Sequence, residues 1–214
     1  MAKKKPTHSA AELIPDRPTV EKVRAASKDC QACDLWLRGT QTVFGEGAKK
    51  AELMLVGEQP GNDEDLSGHP FVGPAGKLLD RALVDAGIDR STVYVTNVVK
   101  HFKWEPRGKR RIHKTPTQRQ MAACDEWLER EIGAVRPRVI VALGATALRA
   151  VTRARVTITA ARETEIHHPS GARIFATYHP SAVLRAPDDD ARAKLTRALV
   201  DDLERAAAMA RKGD

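Results

Sequence analysis

Five side chains in this sequence could do chemistry together. Glu58 offers a carboxylate that can steady a cation or hold a nucleophile in line, and Asn97 an amide with a donor and an acceptor. Phe71 brings a ring to stack on a planar ligand, and His113 and His179 bring imidazoles that can donate a proton or attack carbon. Glu58 and Gln59 stand in Gly57-Glu58-Gln59-Pro60-Gly61, directly after the apolar run 53–56, and Phe71 stands in the Gly/Pro-rich stretch 68–76 that follows. A buried strand emptying into such a loop ahead of a helix is the layout of a small-ligand pocket.

Positioning these groups falls to alternating strands and helices. Runs 53–56, 94–99, 139–143 and 174–178 are short, rich in Val, Ile, Leu or Tyr, and separated by helix-like stretches. Residues 75–86 carry Leu78, Leu79, Ala82 and Leu83 on one helical face with Gly87 at the end, and Thr115-Pro116-Thr117 opens a helix bearing Met121, Cys124, Trp127 and Leu128. Residues 188–211 read as a closing helix, 18–27 as a short one, and 1–17 as a disordered polar tail, which leaves 18–214 as one domain. The pattern predicts an α/β fold, a three-layer sandwich around a short, mostly parallel central sheet, with the ligand outside the carboxyl ends of its strands. Glu58 and Gln59 follow the first strand, Asn97 lies toward the end of the second, Gly144 follows the third and His179 the fourth. A second His-Pro-Ser, His168-Pro169-Ser170, sits in a predicted hairpin turn before Gly171 and is assigned no chemistry.

Composition sets the outer bounds. The 214 residues, 42% hydrophobic and 30% charged, can bury one full core. A formal net charge of +8 favours a polyanionic partner, although solvated Lys and Arg faces give the same balance. The charge concentrates at Lys103, Arg107, Lys109, Arg110, Arg111 and Lys114, against Glu105 alone; such a loop either seeks phosphates or is simply solvated. Three cysteines argue against a disulfide framework. Cys30 and Cys33 form a CxxC pair that, with Cys124, reads either as metal ligands or as two turn residues and a core thiol. No run approaches the roughly twenty apolar residues of a membrane span, and Lys3-Lys4-Lys5 is followed by no apolar signal core, so a cytosolic protein with no membrane partner is expected.

The ordered set Gly57-Glu58-Gln59-Pro60-Gly61, Pro70-Phe71-Val72-Gly73, Thr96-Asn97-Val98-Val99-Lys100, Leu143-Gly144 and Tyr178-His179-Pro180-Ser181 resembles the iron–sulfur uracil-DNA glycosylases of family four, over most of the chain from Cys30 to Arg185. Three departures agree with one another: Gln59 in place of the usual Ala, His101 in place of a cluster cysteine, and the basic insertion Gly108-Lys109-Arg110-Arg111-Ile112-His113. All three are similar to the UdgX branch, whose members resemble glycosylases but end covalently bonded to uracil-containing DNA. The resemblance implies a 4Fe-4S cluster on Cys30, Cys33, His101 and Cys124, with zinc as the chemical alternative on ligand type. It also implies uracil-containing DNA as substrate, single strands preferred, taken by a monomer in the bacterial cytosol and nucleoid. Gly57, Gln59, Phe71 and Asn97 would bind uracil, and Lys109, Arg110, Arg111, Lys114, Gly144, Ser181 and Arg185 would contact DNA.

Each residue's task can be argued chemically. A uracil nucleotide must be rotated out of the stack before its glycosidic bond can be reached. Phe71 would then stack on the base, and Asn97 would suit its O4 and N3–H edge while mismatching the amino group of cytosine. Breaking C1′–N1 leaves negative charge on uracil and positive charge on the sugar, so His179 would donate to uracil O2 and Glu58 would steady the sugar cation. Neighbouring cations are expected to keep His113 neutral, ready to attack C1′ in the place of water. A glycosylase that releases a free abasic site, and an idle iron–sulfur DNA-binding protein, are the competing expectations.

Overall fold

β2 (Leu53–Gly57) and β6 (Val139–Leu143) are buried at every position, as central strands of a sheet covered on both faces must be. The computed structural model describes residues 8–211. In chain order its strands are β1 (Glu46–Gly47), β2, β3 (Tyr94–Asn97), β4 (Trp104–Arg107), β5 (Arg110–His113), β6, β7 (Ile166–His167) and β8 (Arg173–Thr177). Its α-helices are α1 (Val20–Ser27), α2 (Asn62–Ser67), α3 (Pro74–Asp85), α4 (Gln118–Val135), α5 (Ala145–Thr152), α6 (Ile158–Glu163), α7 (Pro180–Leu184) and α8 (Asp189–Arg211). The six-stranded sheet runs β1-β3-β2-β6-β8-β7, with β3, β2, β6 and β8 parallel and the two-residue strands antiparallel at its edges.

Strand alternation divides the core into two layers. Met54 and Val56 face a cluster with α1, α4, α5 and α6, whereas Leu53 and Leu55 face one with α3, α7 and α8. The α/β sandwich around a mostly parallel sheet is therefore the observed architecture. Two regions differ from the sequence expectation. β3 stops at Asn97 because the N–H groups of Val98 and Val99 donate to Gly57 O at 2.9 Å and Glu58 O at 3.0 Å, wrapping the chain around the end of β2. The basic segment expected as a loop is a hairpin, β4 paired with β5, in which Trp104 stands opposite His113.

The expected disordered tail needs correcting over its described part. Ala10–Leu13 form a 3-10 turn held by the Ser9–Glu12 capping box, and Ala10 is buried in the α1–α4 layer. The rest of that expectation, residues 1–7, lies outside the described residues. Among the described residues no helix is long and apolar enough to cross a membrane.

Candidate active site

The carboxyl ends of β2, β3, β6 and β8 open into a cleft of about 800 Å³ lined by Glu58, Gln59, Phe71, Asn97, His113 and His179, among others. Local sequence explains how the floor is shaped. A side chain at Gly57 would overlap Asn97 Oδ1 and come within 2.6 Å of Phe71 Cζ, so glycine there is what lets amide and ring approach. Phe71 itself adopts φ +57°, a conformation uncommon for an aromatic residue, and a Cβ on Gly76 would overlap its carbonyl oxygen. Glu64 ties the two loops together, accepting from Gly61 N at 3.0 Å and Gly73 N at 2.8 Å. Sequence reading missed this residue, although Gly61-x-x-Glu64 has the spacing of a helix capping box.

Asn97 is buried, and among the described residues its Oδ1 has no hydrogen-bond partner. A buried acceptor left unmade costs about 1–3 kcal/mol, so the cleft is built to receive a donor at that point. Behind it, Lys100 Nζ donates to Asn97 O at 2.6 Å and Thr96 Oγ1 at 2.8 Å and pairs with Glu131. Glu131 also accepts from Gly45 N at 2.8 Å and the Tyr94 hydroxyl at 2.9 Å. Both charges of the pair are fully buried, so removing either would strand the other in the core.

His179 caps the N-terminus of α7 with Pro180 behind it. Ser181 N donates to its Nδ1 at 3.1 Å, which places the ring proton on Nε2. The ring lies near-parallel to Phe71, centroids 6.2 Å apart. Burial, helped by Arg185 and His113, pushes its pKa down to about 4, so it is a neutral N–H donor at physiological pH.

Gln59 organises the hairpin side. Its Oε1 accepts from Lys103 N at 2.9 Å, and its Nε2 donates to Lys114 O at 3.0 Å and lies 2.8 Å from His113 Nε2. An amide N–H facing His113 Nε2 makes that nitrogen the acceptor, its lone pair held by Gln59 and its ring proton on Nδ1. Glu58 Oε1 is 3.7 Å from the same nitrogen, and its other oxygen is held by the Thr146 hydroxyl at 2.5 Å. His113 has its pKa lowered, but the reason differs from the sequence expectation. Burial is the main cause, Glu58 opposes it, and Arg185 rather than the hairpin's own cations adds to it. Two electron-rich atoms with no proton between them form a site complementary to a cation.

The expected DNA contacts sort unequally. Lys109 and Arg110 are exposed at the hairpin tip, and Arg185 is exposed on the rim of the cleft. Arg111 is not free: it donates to the fully buried Asp65 at 2.6 Å and to Asn62 Oδ1 at 2.8 Å, and lies over Phe102 and Trp104. It latches the hairpin to α2. Lys114 pairs with Glu105 at 3.2 Å, the N–H of Gly144 donates to Thr177 O at 2.9 Å, and both donors of Ser181 face His179. The Thr146 hydroxyl, which sequence reading passed over, carries no signal beyond its place after Gly144.

Cys30 lies close enough to Cys33, and both lie close enough to Cys124, for their charges to disfavour the Cys33 and Cys124 thiolates. Burial raises Cys33 to about 11 and Cys124 to about 12. Trp127 Nε1 points at Cys30 Sγ at 3.2 Å and Lys100 N at Cys124 Sγ at 3.3 Å. His101 is buried, its pKa lowered to about 4 by desolvation. Among the described residues no three His, Cys, Asp or Glu side chains converge on a point that would hold a single metal ion.

The uracil-DNA glycosylase superfamily model matches residues 44–204, and the chain belongs to that superfamily. It is 41% identical over 194 residues to the type-4 uracil-DNA glycosylase of Thermotoga maritima, covering 90% of this chain and 95% of that one. The type-4 enzyme of Archaeoglobus fulgidus is 40% identical over 168 residues, 74% of this chain and 79% of its own. The type-5 enzyme of Pyrobaculum aerophilum is 32% identical over 180 residues, 77% and 76% of the two chains.

Proposed function

We propose that this protein excises uracil from DNA, single strands foremost, and acts as a monomer that keeps the abasic sugar bonded at C1′ to His113, in the manner of the UdgX branch. The observation that carries the reading is the pair His113 Nε2 and Glu58 Oε1, 3.7 Å apart on one cleft wall, with Gln59 Nε2 2.8 Å from the same imidazole nitrogen. The flipped uracil lies on Phe71, its N3–H supplied to the orphaned Asn97 Oδ1. The C1′–N1 bond breaks with its electron pair going to uracil, whose O2 takes the Nε2–H bond of His179. The sugar cation faces Glu58, and the His113 Nε2 lone pair closes on C1′. Uracil anion and alkylated imidazolium balance in charge, and exchange with water neutralises both.

Cys30, Cys33, Cys124 and His101 would hold a 4Fe-4S cluster. Two N–H groups aimed at cysteine sulfurs, and a neutral buried imidazole, suit thiolate and histidine ligation of iron. Glycosidic cleavage moves no electrons, so the cluster's part is structural, pinning the chain after α1 to α4. Protein purified without oxygen is expected to show thiolate-to-iron absorption in the visible; stoichiometric zinc without iron would exclude the cluster.

The relatives named type-4 uracil-DNA glycosylases keep a second reading in view, turnover with release of an abasic site. A single-stranded uracil oligonucleotide run on a denaturing gel separates the two. The wild type is expected to shift the DNA to a denaturant-resistant band, and His113→Ser to lose that band while still releasing uracil. An adduct surviving the substitution would overturn the assignment of His113.

A further inference from the structure

A second cleft, about 470 Å³, runs on from the first along α5 and the start of α4, and the two share Thr115, Ala145 and Thr146. Arg149 and Arg155 line it, both exposed, and no Asp or Glu does. Arg153, between them in sequence, is held by Asp125 at 3.1 Å and Glu129 at 3.0 Å. Arg149 and Arg155 make no ion pair among the described residues. The first cleft is lined by the acids Glu58, Asp63 and Glu64, which repel phosphates, and by the exposed cation Arg185.

Flipping a nucleotide carries base and sugar inward but leaves its neighbours outside, so the strand must cross the rim on at least one side. The rim toward α2 is acidic, whereas the rim toward α5 leads without a break onto two unpaired guanidiniums, whose planar donors match phosphate oxygens. Met121 and Val156 supply apolar surface beneath them, suited to the face of a sugar or an unstacked base.

We propose that this second cleft seats the sugar-phosphate strand flanking the flipped nucleotide, with Arg149 and Arg155 each taking a phosphate. The inference rests on the reading of the first cleft as a site for a DNA nucleotide. It gives the enzyme a footprint beyond the hairpin tip and favours an unpaired strand, which can bend into a groove that a duplex would bridge.

The test compares wild type, Arg149→Gln/Arg155→Gln and Arg149→Lys/Arg155→Lys, binding a fluorescent thymine-only single strand of about twenty nucleotides across a KCl series. Each phosphate contact on a single strand contributes about 0.7 to the slope of log affinity against log salt, so the Gln pair is expected to lose about 1.4 and the Lys pair to keep it. A Gln pair with the wild-type slope overturns the subsite. Excision is measured alongside on a uracil oligonucleotide of the same length and on a uracil trinucleotide. The Gln pair is expected to need more protein for half-maximal rate on the long strand and to match wild type on the short one; equal losses on both would also overturn it. If no protein releases uracil from either, the reading of the first cleft fails, while the salt slopes still report on the second.

Discussion

His-Pro-Ser occurs twice, at opposite ends of β8, and the two copies fold alike. In each, the serine N–H donates to histidine Nδ1 at 3.1 Å with the hydroxyl at 2.9 or 2.8 Å, so both rings carry their proton on Nε2. They differ in what that N–H meets. His168 is buried, with Nε2 3.4 Å from Glu129 Oε1, whose carboxylate Arg153 also holds. His179 stacks on Phe71 at the cleft, and no carboxylate stands within ion-pair distance of it among the described residues. One copy precedes β8 and the other follows its carboxyl end, where crevices of parallel sheets open. The motif fixes the tautomer, and the sheet fixes its use.

The sharpest way to break this contrast is to delete each ring. In the proposed mechanism His179→Ala removes the donor to the leaving group, and it is expected to slow single-turnover uracil release by about 10²–10³-fold. His168→Ala is expected to leave that rate unchanged and to lower stability in urea unfolding by about 1–3 kcal/mol, since it opens a buried hydrogen-bonded site. Comparable slowing in both variants would mean that the two loops are not divided as their surroundings indicate.

The contrast also marks what could be read before folding. Val139–Leu143 was legible because a short β-branched run bounded by Pro137 and Gly144 has few other uses. The turn at His168 was legible from Gly171, and the gathering of Glu58, Asn97 and His179 from the rule for strand exits. The β4–β5 hairpin was hidden because its charges mask the alternation of a strand, and the two-residue strands β1 and β7 are too short to signal. The turn at Ala10–Leu13 was hidden because four residues are too few for their apolar positions to show a period. Long-range pairs left no trace at all: Arg111 with Asp65, Lys100 with Glu131, and Thr146 with Glu58 are each made by the fold and by no local pattern.

A milder perturbation uses the glycine beside each ring. Gly144 has φ +92° with ψ 169°, and Gly171 has φ +90°, backbone in which an alanine is strained by about 1–3 kcal/mol. A Cβ at 144 would stand 3.1 Å from His179 Cβ, whereas at 171 nothing lies within 4 Å. Both alanine variants are therefore expected to lose similar stability by urea unfolding. Only Gly144→Ala should displace a reacting group, slowing uracil release by about tenfold, since small misplacements near the chemistry are costly. Equal rates in the two variants would place His179 outside the reacting geometry.

The last contrast comes from pH, where the two loops should answer in different windows. His179 titrates near 4 in the folded protein against 6.5 when unfolded, so between those values the unfolded chain holds the extra proton. Stability from the neutral ring is thus fully present above pH 6.5 and is lost as pH falls toward 4, by up to about 1.4 kcal/mol per pH unit for one proton. Below 4 both states are protonated and the loss stops. His179→Gln should flatten that stretch of the curve, and since His101 is lowered similarly in both proteins, the difference between them isolates His179. In the other loop the perturbed group is Glu129, held below the usual carboxylate range first by its hydrogen bond from His168. That contribution is present above pH 4.5 and is lost only as pH falls below it, so Glu129→Gln should alter the acid limb and leave the stretch from 6.5 down to about 5 untouched. Urea unfolding midpoints between pH 3 and 8 check both, and a His179→Gln curve parallel to wild type from 6.5 to 4 would mean that the cleft ring is not held neutral by burial.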